Sequence, residues 1–297
     1  MSIAYDMQGL LVENKIVLAK YNHNCIKPTI IEDVNQLDEY IINEIIDNYL
    51  SNGFAVFEIV ENDVSDEQLL KLYAQVGLKD PFVPSIYKDR SGIYENSGLN
   101  YIAANSYSND IMHRAFQTNN RQELHSDGTL EDIGVIATST LFCVEPADIG
   151  GETIIFNSVG AFYRMLLEEF DVVESLLNEC ALKRIDLGRT NRVAIGPAFK
   201  IIDNKILSRF SMDNTCNWEY GIEIDSKLSI ALNEILKYAH EDSPYYTKFK
   251  LGKNQGVIMA NSKVSHGRES FQNGPINKRK MVRGLFSCEL LYASNFL

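Results

Sequence analysis

Strand-rich segments broken by a few helices predict a mainly β fold, a β-sandwich or barrel with flanking helices. Three observations carry this expectation. First, FAVFEIV (54–60), GVIATSTLFCVE (134–145), ETIIFNS (152–158), GVIMAN (256–261) and KMVRGLFSCELLY (280–292) are β-like runs. Second, turn residues separate them, as in Asp148-Ile149-Gly150-Gly151. Third, no GxGxxG opens a helix after a strand, and no Walker-type loop or GxSxG elbow occurs, so a dinucleotide fold has little support.

Taken in order, residues 1–35 are mixed and carry no assignment. Residues 35–50 place apolar side chains at helical spacing, and Ser51-Asn52-Gly53 ends that helix. The strand 54–60 follows. Ser65 then caps a second helix, DEQLLKLYAQVG, with Gly77 as its stop. Residues 80–122 are loop-rich in Asn, Ser and Tyr, and a long irregular stretch of this kind is often functional. Asn105, Ser106 and Asn109 lie in it, without an assigned role. Residues 159–181 read as helical, short β-like segments run to 210, and 224–241 is a strong amphipathic helix.

Composition narrows the function classes. In 297 residues, 45% are apolar, enough for a sizeable core, and the net charge is −12. No basic stripe marks a nucleic-acid surface. Five scattered cysteines without a CxxC pair argue against a disulfide framework or structural zinc, and for free thiols in a reducing compartment. MSIAYDMQGL has no signal-peptide pattern, and no stretch approaches the roughly 18 apolar residues a membrane helix needs. The expectation is a cytoplasmic protein with a small-molecule substrate and no nucleic-acid or membrane partner. Oligomeric state leaves no signature.

Among the five histidines, His125 and His266 have suggestive neighbours. In RQELHSDGTL, His125 precedes Asp127 by two positions, so on an extended chain both point to one face. Together they offer an imidazole nitrogen and a carboxylate oxygen to one metal ion. A third ligand would complete a facial triad with open positions, the arrangement of non-haem Fe(II) oxygenases. Alone, such a pair is more often a surface feature. His266, in NSKVSHGRESF after the strand GVIMAN, is a candidate third ligand. Beyond it, Arg279, Met281 and Arg283 share one face of a strand. An arginine fork binds a carboxylate in bidentate fashion, although arginines on a solvated strand face are as common.

The ordered set HSD, GGET, HGRESF and RKMVR resembles the taurine dioxygenase and clavaminate synthase-like superfamily of Fe(II)/2-oxoglutarate oxygenases, over roughly residues 40–290. The resemblance implies a double-stranded β-helix, or jelly-roll, core. It implies a single oxygenase domain over 1–297, with a helical N-terminal region and insertions around 159–181 and 224–241. It also implies Fe(II) on His125, Asp127 and His266. Thr153, 28 residues after His125, and Arg279, 13 after His266, would hold the far carboxylate of the cosubstrate 2-oxoglutarate. Arg283 would bind an anionic group of the substrate. The activity implied is an O2-dependent dioxygenase. Because Asp127 keeps the carboxylate that related halogenases lack, hydroxylation or desaturation is expected.

Asp213 lies in SRFSMDNTCNWEY (208–220), which resembles the family segment that reaches over the site, and is a candidate partner for a substrate cation. Glu123, two residues before His125, is a second candidate, with Gln122 then facing away. An arginine for a carboxylate and an acid for a cation suggest a free amino acid, a basic one such as lysine or arginine. The competing readings are a different small acid, zinc-dependent hydrolysis and a non-catalytic metal-binding jelly-roll. His23, His113 and His240 are read as packing or surface residues, and Trp218 as core.

Overall fold

The structure, a computed structural model, describes residues 6–292 except 62, 86–96, 104–117, 129, 169, 188–191 and 277. Much of the loop-rich stretch, with Asn105, Ser106, Asn109 and His113, lies outside the described residues.

Ten strands form two core sheets, numbered here in chain order: β1 Thr29–Ile31, β2 Phe54–Ile59, β3 Asn100–Ala103, β4 Gln122–His125, β5 Thr138–Glu145, β6 Thr153–Phe156, β7 Tyr246–Phe249, β8 Gln255–Met259, β9 Ser265–Arg268 and β10 Lys280–Phe286. The larger sheet has the order β1-β2-β8-β5-β10-β3 and the smaller β7-β6-β9-β4. The β1–β2 pair is parallel and the other core pairs are antiparallel. This is the expected mainly β jelly-roll core with helices around it.

Strand β2 shows why the larger sheet is so apolar. Phe54 and Val56 enter one hydrophobic cluster, while Ala55, Phe57 and Ile59 enter another on the opposite face. Burial of both faces makes its sequence a continuous apolar run rather than an alternating one. The outer face is covered by two helices, Glu39–Asn52 and Asp66–Gln75, through Ile45, Ile46, Tyr49, Leu69, Leu72 and Tyr73. Asp38 caps the first through Ile41 N–H, and Gly53, in the left-handed region, closes it. Ser65 and Gln68 form a reciprocal capping box on the second. Ser65→Ala is expected to lower stability by about 1 kcal/mol in denaturant unfolding, the usual worth of such a cap.

The other face carries Phe162 of the helix Ser158–Glu168, with Phe156, Phe199, Phe210 and Trp218. Phe162 and Phe199 stack at 4.3 Å, and Trp218 packs at 5.8 Å from Phe210, so the single tryptophan is core. The stretch 159–181 ends its main helix at Glu168 and continues as short turns of helix. Of the amphipathic stretch 224–241, Lys227–Leu236 forms the α-helix, and a separate short helix, Glu219–Ile224, precedes it with Asp225 extended between them. No helix among the described residues is long and apolar enough to cross a membrane.

Candidate active site

Cross-strand register assembles the metal-ligand set. On the smaller sheet His266 of β9 pairs directly with His125 of β4, and the two rings lie 4.3 Å apart. Asp127, just past the end of β4, brings Oδ2 to 3.6 Å from His266 Nε2. One ligand atom from each of the three lies within 4.8 Å of the others.

The chain holds these groups from behind. Nδ1 of His125 donates to the Glu123 carbonyl (2.9 Å), which leaves the lone pair on Nε2. The Gln122 amide nitrogen lies 3.2 Å from that Nε2. Asp127 N–H donates to Asn261 Oδ1 (2.8 Å), and the Asn261 amide donates back to the Asp127 carbonyl (3.2 Å). Between the ligands, Ser126 N–H donates to Ser211 Oγ, and Arg184 Nη1 donates to the Ser126 carbonyl. Arg283 Nη1 donates to Asp127 Oδ1 at 2.7 Å, so this oxygen is held while Oδ2 has no hydrogen-bond partner among the described residues. His266 Nδ1 is likewise buried without one.

Electrostatics match a cation. Burial acts to raise the Asp127 pKa, but Arg283, His266 and His125 outweigh it and hold the carboxyl below its ordinary value. Burial, then the neighbouring His125, pushes His266 down to about 3, so its imidazole is neutral and able to ligate. Two imidazoles and a carboxylate converging in a buried pocket, with Asp127 Oδ2 and His266 Nδ1 unpartnered among the described residues, are the donor set of a facial triad with open positions. Asn261→Ala, which frees the Asp127 backbone, is expected to weaken metal affinity about ten- to a hundredfold in anaerobic Fe(II) titration.

Beside the triad, the pocket is lined by Gln122, Thr153, Arg268, Arg279 and Arg283 as well as His125, Asp127 and His266. Arg279, just before β10, and Arg283 within it both line the pocket, while Met281 between them is buried in the core cluster. Thr153, at the start of β6, is buried in the wall. The turn before it uses two glycines in the left-handed region: a Cβ on Gly150 would collide with the Ser270 carbonyl oxygen, and one on Gly151 would meet Phe271 at 3.3 Å and Arg279 Nε at 3.5 Å. Their bareness lets the Phe271 ring and Arg279 close on the turn.

Two expected substrate contacts are corrected. Glu123 does not share the face of His125. Its side chain is 53% exposed and pairs with Arg121 at 3.3 Å, while Gln122 points into the pocket. The cause is a register shift in the β4–β9 pair, where His125↔His266 is followed by Gln122↔Arg268, three residues against two. That bulge breaks the alternation on which the placement of Glu123 rested. Asp213 does lie near the site, but its carboxylate accepts from Thr215 N–H (3.1 Å) and hydroxyl (2.5 Å) and lies 3.8 Å from buried Arg184. Burial would raise its pKa, yet His125, Arg184 and Thr215 hold it below its ordinary value. Asp213 is thus already an anion with a partner.

Four further residues shape the site. Arg268 carries a sequence signal: two positions after His266 on a strand, it shares the histidine's inward face. Gln122 is hidden by the bulge. Asn261 and Arg184 have no local signal, because each reaches the HSD segment across the fold.

Comparison with known proteins bears on this geometry. A uridine-5'-phosphate dioxygenase from Amycolatopsis sp is 32% identical over 275 residues, covering 90% of this chain and 96% of that protein. A uridine-5'-phosphate dioxygenase from Streptomyces sp is 30% identical over 251 residues, covering 82% and 87%. Among solved structures, the non-heme iron oxygenase OrfP in complex with Fe and alpha-ketoglutaric acid superposes with a TM-score of 0.60 at 14% identity, over 89% of this chain and 85% of that one. PvcB from Pseudomonas aeruginosa gives 0.58 at 16% identity, over 90% of each chain. At these identities the two structures establish the fold. The family model of taurine catabolism dioxygenase TauD, TfdA family, matches residues 29–285. With that match spanning both sheets and every ligand of the triad, the chain belongs to the TauD/TfdA family and is a 2-oxoglutarate-dependent non-haem iron dioxygenase.

Proposed function

We propose that this dioxygenase oxidises a C–H bond of a nucleoside 5'-phosphate, of which uridine 5'-phosphate is the first candidate. The observation that carries the phosphate is the charge of the pocket: three arginines line it against one acid, Asp127. Fe(II) and the 2-oxoglutarate dianion cancel, so the lining leaves two positive charges for the substrate. A phosphate monoester, close to a dianion at neutral pH, suits that balance. A zwitterionic amino acid does not supply it, and the basic amino acid expected from the sequence would need Asp213, which Arg184 and Thr215 occupy. The uridine half rests on the two relatives at 32% and 30% identity.

The roles proposed for the residues follow from their positions. His125, Asp127 and His266 hold Fe(II), with Asp127 presenting Oδ2 because Arg283 retains Oδ1. When bound, Fe(II) with 2-oxoglutarate and O2 supplies the oxidising power, converting the cosubstrate to succinate and CO2 as one oxygen atom goes to the substrate. Arg279 and Thr153 fix the far carboxylate of 2-oxoglutarate. Arg283, which lines the pocket and bonds Asp127, would orient the substrate's anionic group relative to the metal. The protein's contribution is aim and exclusion of water.

The test is substrate-dependent succinate release with uridine 5'-phosphate, uridine, cytidine 5'-phosphate, lysine and arginine, followed by mass spectrometry of the product. Turnover of uridine 5'-phosphate at least about a hundredfold above uridine is expected, given that losing a charged group's buried partner costs about 2–5 kcal/mol. Turnover of lysine or arginine with none of the nucleotides would overturn the proposal and return the substrate to the amino-acid class.

A further inference from the structure

Arg268 enters the pocket's charge balance above without an assigned contact, yet it is only 5% exposed and lines the pocket. Register fixes its direction. It pairs with Thr153 on one side and Gln122 on the other, so the three side chains form a row across the smaller sheet, one step below the row that holds His266 and His125. Directly paired residues of an antiparallel ladder point to the same face. The row therefore faces inward, with Arg268 beside the threonine assigned to the cosubstrate.

Its partners are carbonyls, not carboxylates. Nε donates to the Glu269 carbonyl (3.3 Å), and Nη2 donates to those of Thr118 (3.0 Å) and Asn120. Nη1 has no hydrogen-bond partner among the described residues. The guanidinium lies 4.8 Å from the centroid of the Phe271 ring, and that of Arg279 lies 5.2 Å from the same centroid. Phe271 is fixed there by its pairing with Gly150 and by its N–H bond to the Asn119 carbonyl. Two buried cations thus share one aromatic ring. Neither guanidinium pairs with a carboxylate among the described residues. Two like charges held together out of water call for an anion between them.

We propose that Arg268 is a second guanidinium for the far carboxylate of 2-oxoglutarate, acting with Arg279 across the Phe271 ring and with Thr153 beside it. This site then recognises the cosubstrate by two forks and a hydroxyl. It discriminates steeply against 2-oxoacids that lack the far carboxylate.

The test is anaerobic calorimetric titration of the Fe(II)-loaded protein with 2-oxoglutarate and with 2-oxopentanoate, which has the same chain length and no far carboxylate. Arg268→Met is expected to weaken 2-oxoglutarate binding by about tenfold or more, as loss of a charge-assisted hydrogen bond requires, while 2-oxopentanoate binding stays unchanged. Arg268→Lys, which keeps the charge and loses the fork, is expected to show a smaller loss of the same selectivity and provides the reading if the methionine variant does not fold. Equal weakening of both ligands would overturn the proposal in favour of a strut that merely holds residues 118–120. Unchanged 2-oxoglutarate binding with weakened uridine 5'-phosphate binding would overturn it in favour of a substrate contact. Arg279→Met, run in parallel, is expected to show the same selective loss. If it does not, the placement of the cosubstrate itself is at fault, whatever the nucleotide assays show.

Discussion

Replacing His266 with alanine is expected to abolish Fe(II) binding and reduce substrate-dependent succinate release to background, and His125→Ala to do the same. The two imidazoles meet because β4 and β9 pair at these residues, and among the described residues the metal-ligand group holds no other side chain to take over. Of the other three histidines in the sequence, His23 and His240 lie outside the metal-ligand group. Loss of one imidazole leaves a carboxylate and a single nitrogen, too few to retain a divalent ion against water. Anaerobic Fe(II) titration alongside thermal unfolding separates this from misfolding. Near wild-type turnover in either variant would remove that histidine from the ligand set. Asp127→Gly is expected to lose hydroxylation as well, and it additionally deprives Arg283 of its 2.7 Å partner.

Arg279→Ala is expected to raise the 2-oxoglutarate requirement by about two orders of magnitude, within the roughly 2–5 kcal/mol that truncating one partner of a buried charge pair costs. The guanidinium is 6% exposed and is stacked on Phe271 rather than paired with an acid among the described residues. The loss falls on the cosubstrate: its half-saturation rises while substrate affinity measured without turnover is held. Arg283→Ala is expected to behave differently, uncoupling 2-oxoglutarate consumption from substrate oxidation, since Arg283 bonds Asp127 and lines the pocket. If Arg283→Ala raises the 2-oxoglutarate requirement and Arg279→Ala does not, the two arginines exchange roles.

The parts of this account legible in the sequence are those where local signals and burial agree. The capped helices on the outer face and strands β2, β5, β8 and β10 announce themselves because caps, glycine stops and apolar runs coincide. Strands β4 and β9 do not. QELH and SHGR are four residues each, and their inward positions are polar because they line the candidate active-site pocket. Hydrophobic alternation is therefore inverted where function sits. The two-residue period brings Arg279 and Arg283 to one pocket but fails for Glu123, where a bulge adds a residue. Asp213 shows a different gap. Its proximity to the site follows from its segment, whereas its neutralisation by Arg184 of a distant strand is a tertiary fact.

The most direct test of the central claim is an anaerobic optical titration. Fe(II) followed by 2-oxoglutarate should produce a weak visible charge-transfer band in the wild-type protein, absent from His266→Ala and shifted to much higher 2-oxoglutarate in Arg279→Ala. A wild-type protein that binds Fe(II) yet shows no such band at saturating 2-oxoglutarate would contradict the assignment of this pocket as an Fe(II)/2-oxoglutarate centre.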